Sequence, residues 1–96
     1  MSDLVYISGA ISGVDDFLSR FNNAATILER LGCKVVNPAY MNKVMPNAEY
    51  EDYMKADLFL LDMCDAIYML QGWEKSCGAN REYGYALAKG MEIMFE

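Results

Sequence analysis

Residues 72–86 read Gly72-Trp73-Glu74-Lys75-Ser76-Cys77-Gly78-Ala79-Asn80-Arg81-Glu82-Tyr83-Gly84-Tyr85-Ala86. They follow an apolar run, Ala66-Ile67-Tyr68-Met69-Leu70, of the kind that forms a buried strand. The glycines then turn the chain into a helix predicted from about Gly78 to Ala88, ended by Gly90, with Glu82 near its start. A strand, a glycine-containing loop and a helix N-terminus make a site for an anionic or sugar-phosphate ligand, because first-turn N–H groups have no intrahelical partner. An acidic side chain on the first turns of that helix is aimed at whatever the loop holds.

Working outward, Leu4-Val5-Tyr6-Ile7 is a β-prone run that ends at Ser8-Gly9 and predicts the first strand. The loop Gly9-Ala10-Ile11-Ser12-Gly13 lacks a Gly-Lys-Ser/Thr ending and the dinucleotide glycine pattern, so it is neither a P-loop nor a Rossmann fingerprint. Asp15 or Asp16 is placed to cap the next helix. Phe17, Phe21, Ala24, Leu28 and Leu31 recur at steps of three and four, the apolar stripe of a helix lying on a sheet. Cys33 to Asn37 predicts a second strand, stopped by Pro38. Residues 38–48 hold both prolines and no period, and predict a loop. Tyr50 to Asp62 predicts a second helix with Tyr53, Asp57, Leu58 and Leu61 near one face. Met91 to Phe95 predicts a fourth strand. The alternation predicts an α/β fold: a small doubly wound, flavodoxin-like parallel sheet of four strands with helices on both faces. In such sheets ligands sit at the C-terminal strand ends. The loops that begin at Ser8, Asn37 and Gln71 therefore converge.

The 96 residues predict one domain spanning 1–96. A hydrophobic fraction of 54% supplies a core, while seven Tyr and eight Met predict apolar surface that one copy does not bury, hence a homo-oligomer. A net charge of −6 with no Lys/Arg run argues against a nucleic-acid polymer as partner and leaves isolated nucleotides open. Three cysteines without a Cys-x-x-Cys pair fit reduced thiols. With neither a signal-peptide core nor an apolar run near the roughly 20 residues of a membrane span, the chain is expected to be cytoplasmic, with no membrane partner. The absence of histidine excludes Ser-His-Asp and Cys-His chemistry and the usual His-containing zinc sites. Chemistry then falls to carboxylates, tyrosines and backbone dipoles.

Tyr6-Ile7-Ser8-Gly9, Asn37-Pro38, Ala56-Asp57-Leu58 and Gly78 to Ala86 occur in an order that resembles the nucleoside 2-deoxyribosyltransferase-like superfamily. The chain is most similar there to short members of unknown function common in phages and prophages, which carry a Gly-Trp-Glu-x-Ser-x-Gly-Ala stretch like Gly72 to Ala79. The resemblance spans nearly the whole chain. It implies that Glu82 is a nucleophile toward the sugar C1′ of an N-glycoside, that Asp57 is the second acidic residue, and that Tyr6 positions the nucleophile or the sugar. Ser76 falls where transferases often have an aspartate that reads the 5′-hydroxyl and where nucleotide hydrolases have a phosphate-holding serine. The hydrolase branch has an arginine in the first loop, where this chain has Ser12, and larger transferases extend beyond the position of Glu96.

The expected activity is N-glycosidic cleavage, by hydrolysis or 2-deoxyribosyl transfer, of a 2′-deoxynucleoside or its 5′-monophosphate. A carboxylate of ordinary pKa is ionised at neutral pH and needs no histidine to attack. Ser8, Gly9, Ser12, Gly13, Asn37, Trp73, Ser76 and Gly78 are the candidate substrate contacts; no cofactor and no metal are called for. Blander readings stand beside these. Glu82 is also favourable charge at a helix start, Asp57 is either partnered or solvent-facing, and Trp73 is a packing anchor or a base platform. The rival to an enzyme is a nucleotide-binding module of the same fold without turnover.

Overall fold

The computed structural model describes residues 3–96, the side chains at 42 and 43 apart. Four strands, β1 (Leu4–Ser8), β2 (Lys34–Val36), β3 (Ala66–Met69) and β4 (Glu92–Phe95), form one parallel sheet in the order β2-β1-β3-β4. The register pairs Tyr6 with Val36 on one side and with Ile67 on the other, and Ser8 with Met69. The strand order reverses between β1 and β3, the switch point at which doubly wound sheets open a crevice. Because the strands are parallel, Ser8, Asn37 and Gln71 leave the sheet at the same edge, as expected.

Helix α1 (Phe17–Arg30) buries Phe21, Ala24 and Leu28 against Val5, Ile7 and Ala66 on one face. Helices α3 (Tyr50–Asp62) and α4 (Cys77–Lys89) cover the other, where Leu61, Ala79 and Ala86 meet Tyr6, Ile67 and Met69. Residues alternate between the faces because strand side chains have a period of two. Asp16 stands at the N-cap of α1, yet its side chain makes no capping bond. The start of α3 is fixed by Asp52, whose carboxylate accepts from the Glu49 N–H at 3.2 Å.

One expectation is corrected. Residues 38–48 are not an unbroken loop: α2 (Tyr40–Val44) forms a short helix within them. Its anchor is Asn37, whose side-chain carbonyl accepts from the Ala39 N–H at 3.1 Å and nucleates the turn that Pro38 begins. Five residues are too few to show an apolar period, so sequence pattern could not reveal it.

Candidate active site

Alternation along β1 decides the site. Tyr6 and Ser8 are two residues apart, so both point to the α3/α4 face, and both are completely buried. Opposite them Glu82 extends from α4, on the stripe it shares with Ala79 and Ala86. The small neighbours let α4 lie close enough for Glu82 to reach β1. The Tyr6 hydroxyl donates to Glu82 Oε2 at 2.7 Å and the Ser8 hydroxyl donates to Oε1 at 2.6 Å. Burial, opposed by these two hydrogen bonds and reinforced by nearby Asp57, pushes Glu82 up to about 7. The expectation of an ordinary carboxylate is thus corrected: the residue is 5% exposed, and desolvation outweighs two hydroxyl donors. Burial, and then the Glu82 charge, hold the Tyr6 phenol well above its usual range, so it stays a donor.

Glu82 forms part of the wall of a cavity of about 790 Å³. The first loop contributes Gly9, Ser12 and Val14; α1 contributes Arg20 and Phe21; α3 contributes Tyr50, Tyr53, Met54 and Asp57; the segment entering α4 contributes Gly72 and Lys75 to Ala79. Positions 50, 53, 54 and 57 form one helical stripe, from aromatic at its N-terminal end to acidic at its C-terminal end. Asp57 is 8% exposed, and its Oδ1 is buried without a hydrogen-bond partner. Neither reading from sequence fits it, since it is neither paired nor in solvent. Burial alone pushes it up to about 6. An orphan acceptor of this kind is rare in folded proteins and asks for a donor from a ligand.

The entry to α4 is a glycine turn followed by a capped helix start. Gly72, at φ 86°, turns the chain after β3 in a conformation that L side chains rarely adopt. The Ser76 hydroxyl caps the helix by accepting from the Ala79 N–H at 3.1 Å. That leaves the N–H groups of Cys77 and Gly78 as the first-turn donors without an intrahelical partner. Gly9 has a different reason: a Cβ there would lie 2.9 Å from Leu70 Cδ1, so the first loop turns close against the end of β3 only with glycine.

Of the sequence-predicted residues, Glu82, Asp57, Gly9, Ser12, Ser76 and Gly78 meet around the cavity, with Tyr6 and Ser8 directly behind Glu82. Gly13 is not part of its wall. Asn37 does not face it either; its amide donates to Asn22 Oδ1 at 3.0 Å while its carbonyl caps the Pro38 turn, and both groups are spent on the fold. Trp73 lies away from the cavity, 4.6 Å between ring centroids from Tyr83 and 6.4 Å from Phe95, which makes it the packing anchor. Arg20, Lys75, Tyr50, Tyr53 and Met54 were not among the contacts expected from the sequence, although Tyr53 was placed on one helix face with Asp57. The i, i+3, i+4, i+7 spacing of 50, 53, 54 and 57 was a signal that could have found three of them. Arg20 reaches the site by donating to the Gln71 carbonyl at 2.7 Å across 51 residues, which no local pattern announces. Among the described residues, no group of three or more His, Cys, Asp or Glu side chains is arranged to hold a metal ion, and no helix is long and apolar enough to cross a membrane.

No curated protein matches the chain. Among solved structures, the 2-desoxiribosyltransferase from Leishmania mexicana superposes with a TM-score of 0.73 at 20% sequence identity. The match covers 97% of this chain and 63% of that one, so the chain spans less than two thirds of that protein's length; the likeness is one of fold. A sequence profile covers residues 3–95, and by that match the chain belongs to the family described as a domain of unknown function (DUF4406).

Proposed function

We propose that this chain cleaves the N-glycosidic bond of a 2′-deoxynucleoside 5′-monophosphate. The observation that carries this reading is the buried acid pair. Glu82 is held by two hydroxyls on the cavity wall, and Asp57 sits beside it with an unpartnered oxygen. Glu82 attacks C1′, the C1′–N bond breaks, and its electrons pass to the base nitrogen. Asp57 gives that nitrogen a proton. The resulting glycosyl ester is resolved by water, giving hydrolysis, or by a second base, giving transfer, with retention at C1′. The structural likeness to a 2-desoxiribosyltransferase supports a nucleoside-handling fold.

The phosphate is bound by the free N–H groups at the start of α4, helped by Lys75 and Arg20 in the same cavity. Arg20 thus supplies from α1 the cation that Ser12 does not. The base lies along Tyr50, Tyr53 and Met54, flat against aromatic and thioether surface. The outward faces of α3 and α4 expose Phe59, Met63 and Leu87, which supports a homo-oligomer, to be read by light scattering at tens of micromolar. The three free thiols favour a reducing, cytoplasmic setting.

The test is incubation with a panel of deoxynucleotides and their dephosphorylated nucleosides, followed by chromatography of free base. Base release from monophosphates over nucleosides is expected. Binding without base release makes the chain a nucleotide-binding module; neither binding nor release removes nucleotides as the ligand class.

A further inference from the structure

Ser8 occupies an unusual place among the polar groups of the site. It is completely buried, it does not form part of the cavity wall, and its hydroxyl donates at 2.6 Å to Glu82 Oε1. Its backbone is also committed, since its carbonyl accepts from the Leu70 N–H at 2.8 Å. A residue so enclosed has no free face for a sugar or a phosphate. Tyr6, two residues earlier on the same strand, takes the other oxygen, Oε2. Both carboxylate oxygens are therefore gripped from the sheet side by donors on one rigid strand, at the centre of the sheet.

We propose that Ser8 is a positioning residue: with Tyr6 it grips the Glu82 carboxylate from behind, fixing its direction into the cavity and presenting it as an acceptor rather than as an acid. The kinetic part of this assignment rests on Glu82 being the reacting carboxylate; the structural part does not. Hydroxyl donors favour the ionised carboxylate, whereas burial and the neighbouring acid oppose it. The titratable groups that act on Glu82 are Tyr6 from β1 and Asp57 from α3, while the cations Arg20 from α1 and Lys75 from the segment before α4 line the same cavity. The cations share the cavity with Glu82 and hydrogen-bond neither of its oxygens. Among the described residues, only Tyr6 and Ser8 donate to the carboxylate, and only Ser8 engages Oε1. Removing one donor leaves the other to hold the carboxylate by a single oxygen, free to rotate about it.

The test follows the Glu82 side-chain carboxyl by carbon NMR in the ligand-free protein, identified by its loss in Glu82→Gln, across pH 4–9. Ser8→Ala is expected to move the Glu82 midpoint upward by about one unit, and Ser8→Thr, which keeps the hydroxyl, to restore it. Where the protein turns over substrate, Ser8→Ala lowers kcat by about 10- to 100-fold with KM changed less than threefold, because a positioning defect falls on the reacting step. If Ser8→Ala does not fold, the wild-type hydroxyl proton decides. A downfield, slowly exchanging signal from Ser8 supports the grip, and rapid exchange with water overturns it. An unchanged Glu82 midpoint in folded Ser8→Ala overturns the proposal, as does a rise in KM with unchanged kcat, which would make Ser8 a substrate contact. Absence of base release in wild type, with a shifted Glu82 midpoint in Ser8→Ala, refutes the glycosidase reading and leaves the grip standing.

Discussion

The two faces of the sheet are built from the same strands and do different work. On the α1 face, Val5, Ile7 and Ala66 meet Phe21, Ala24 and Leu28, and the contact is hydrocarbon throughout. On the α3/α4 face the same β1 presents Tyr6 and Ser8, and the helices bring Asp57 and Glu82. Among the described residues, the fully buried side chains of the first face are all apolar. The other spends part of its buried volume on two carboxyl groups that burial pushes up to about 6 and about 7. Carboxyl groups raised by burial at the C-terminal edge of the central strands burden stability, and that burden supports the proposed site. The α1 face is what makes that arrangement affordable.

The sharpest way to break the comparison is to alter one residue on each face. Glu82→Gln is expected to lower base release by roughly 10³-fold or more, since the amide carries no charge with which to attack C1′. It is expected to melt no lower than wild type at pH 8, because it removes a charge that burial disfavours. Chromatography and thermal melting on the same sample check both. Leu28→Ala, on the other face and away from the cavity, is expected to cost about 2–5 kcal/mol in denaturant unfolding through the void it leaves. A Glu82→Gln protein that melts well below wild type at pH 8 with unchanged turnover would make Glu82 structural and erase the distinction.

The faces also differ in their response to pH. A carboxyl group raised in the folded state binds its proton more tightly there than in the unfolded chain, where it titrates near its ordinary value. The folded protein therefore holds extra protons from about pH 4 upward, and stability falls as pH rises through about 6 for Asp57 and about 7 for Glu82. The spread is on the order of 2–4 kcal/mol from Glu82, with a smaller share from Asp57. Melting is expected to be higher at pH 5 than at pH 8, a difference that shrinks in Glu82→Gln and persists in Leu28→Ala. Turnover has its own window. The reaction needs Glu82 ionised and Asp57 protonated, which is the minority arrangement of the single-proton pair because the proton favours the higher carboxyl, Glu82; kcat/KM is still expected to peak between about pH 6 and 7, where the pair holds that one proton. A rate that climbs steadily to pH 9 would remove Asp57 as the acid.

The sequence made the fold legible because its elements are strongly periodic or sharply punctuated. Pro38 and Gly90 mark ends, and Phe21, Ala24 and Leu28 mark a face. The convergence of Ser8, Asn37 and Gln71 followed from parallel topology alone. The site was legible in residue type more than in role. Ser8 was read as a contact, but burial turns it into a support; a strand residue's exposure depends on what α4 places over it, which sequence does not state. Trp73 and Asn37 were read as contacts and are spent on Tyr83 and on Asn22, partners distant or irregular in sequence. Arg20 was invisible because its side chain reaches the Gln71 carbonyl just past the end of β3, 51 residues further on in the chain. The raised carboxyl groups likewise arise from tertiary burial.

The smallest expected effect compares the two helix starts that lead into these faces. Ser76 and Asp16 are both N-cap residues of types that favour the position. Ser76 accepts from the Ala79 N–H at 3.1 Å, whereas Asp16 makes no side-chain capping bond. Ser76→Ala is therefore expected to cost about 1 kcal/mol in denaturant unfolding, and Asp16→Ala to stay within about 0.5 kcal/mol of wild type. The two differ in a second respect. Ser76 belongs to the cavity wall beside the free N–H groups of Cys77 and Gly78, and Asp16 does not. If those N–H groups hold a phosphate, fraying the first turn of α4 misaligns them, and the affinity for a deoxynucleotide falls severalfold in Ser76→Ala with no change in Asp16→Ala. Calorimetric titration with a deoxynucleoside monophosphate and with its nucleoside separates the cases. A loss confined to the monophosphate assigns the α4 start to phosphate, and an equal loss for both makes Ser76 a cap and nothing more.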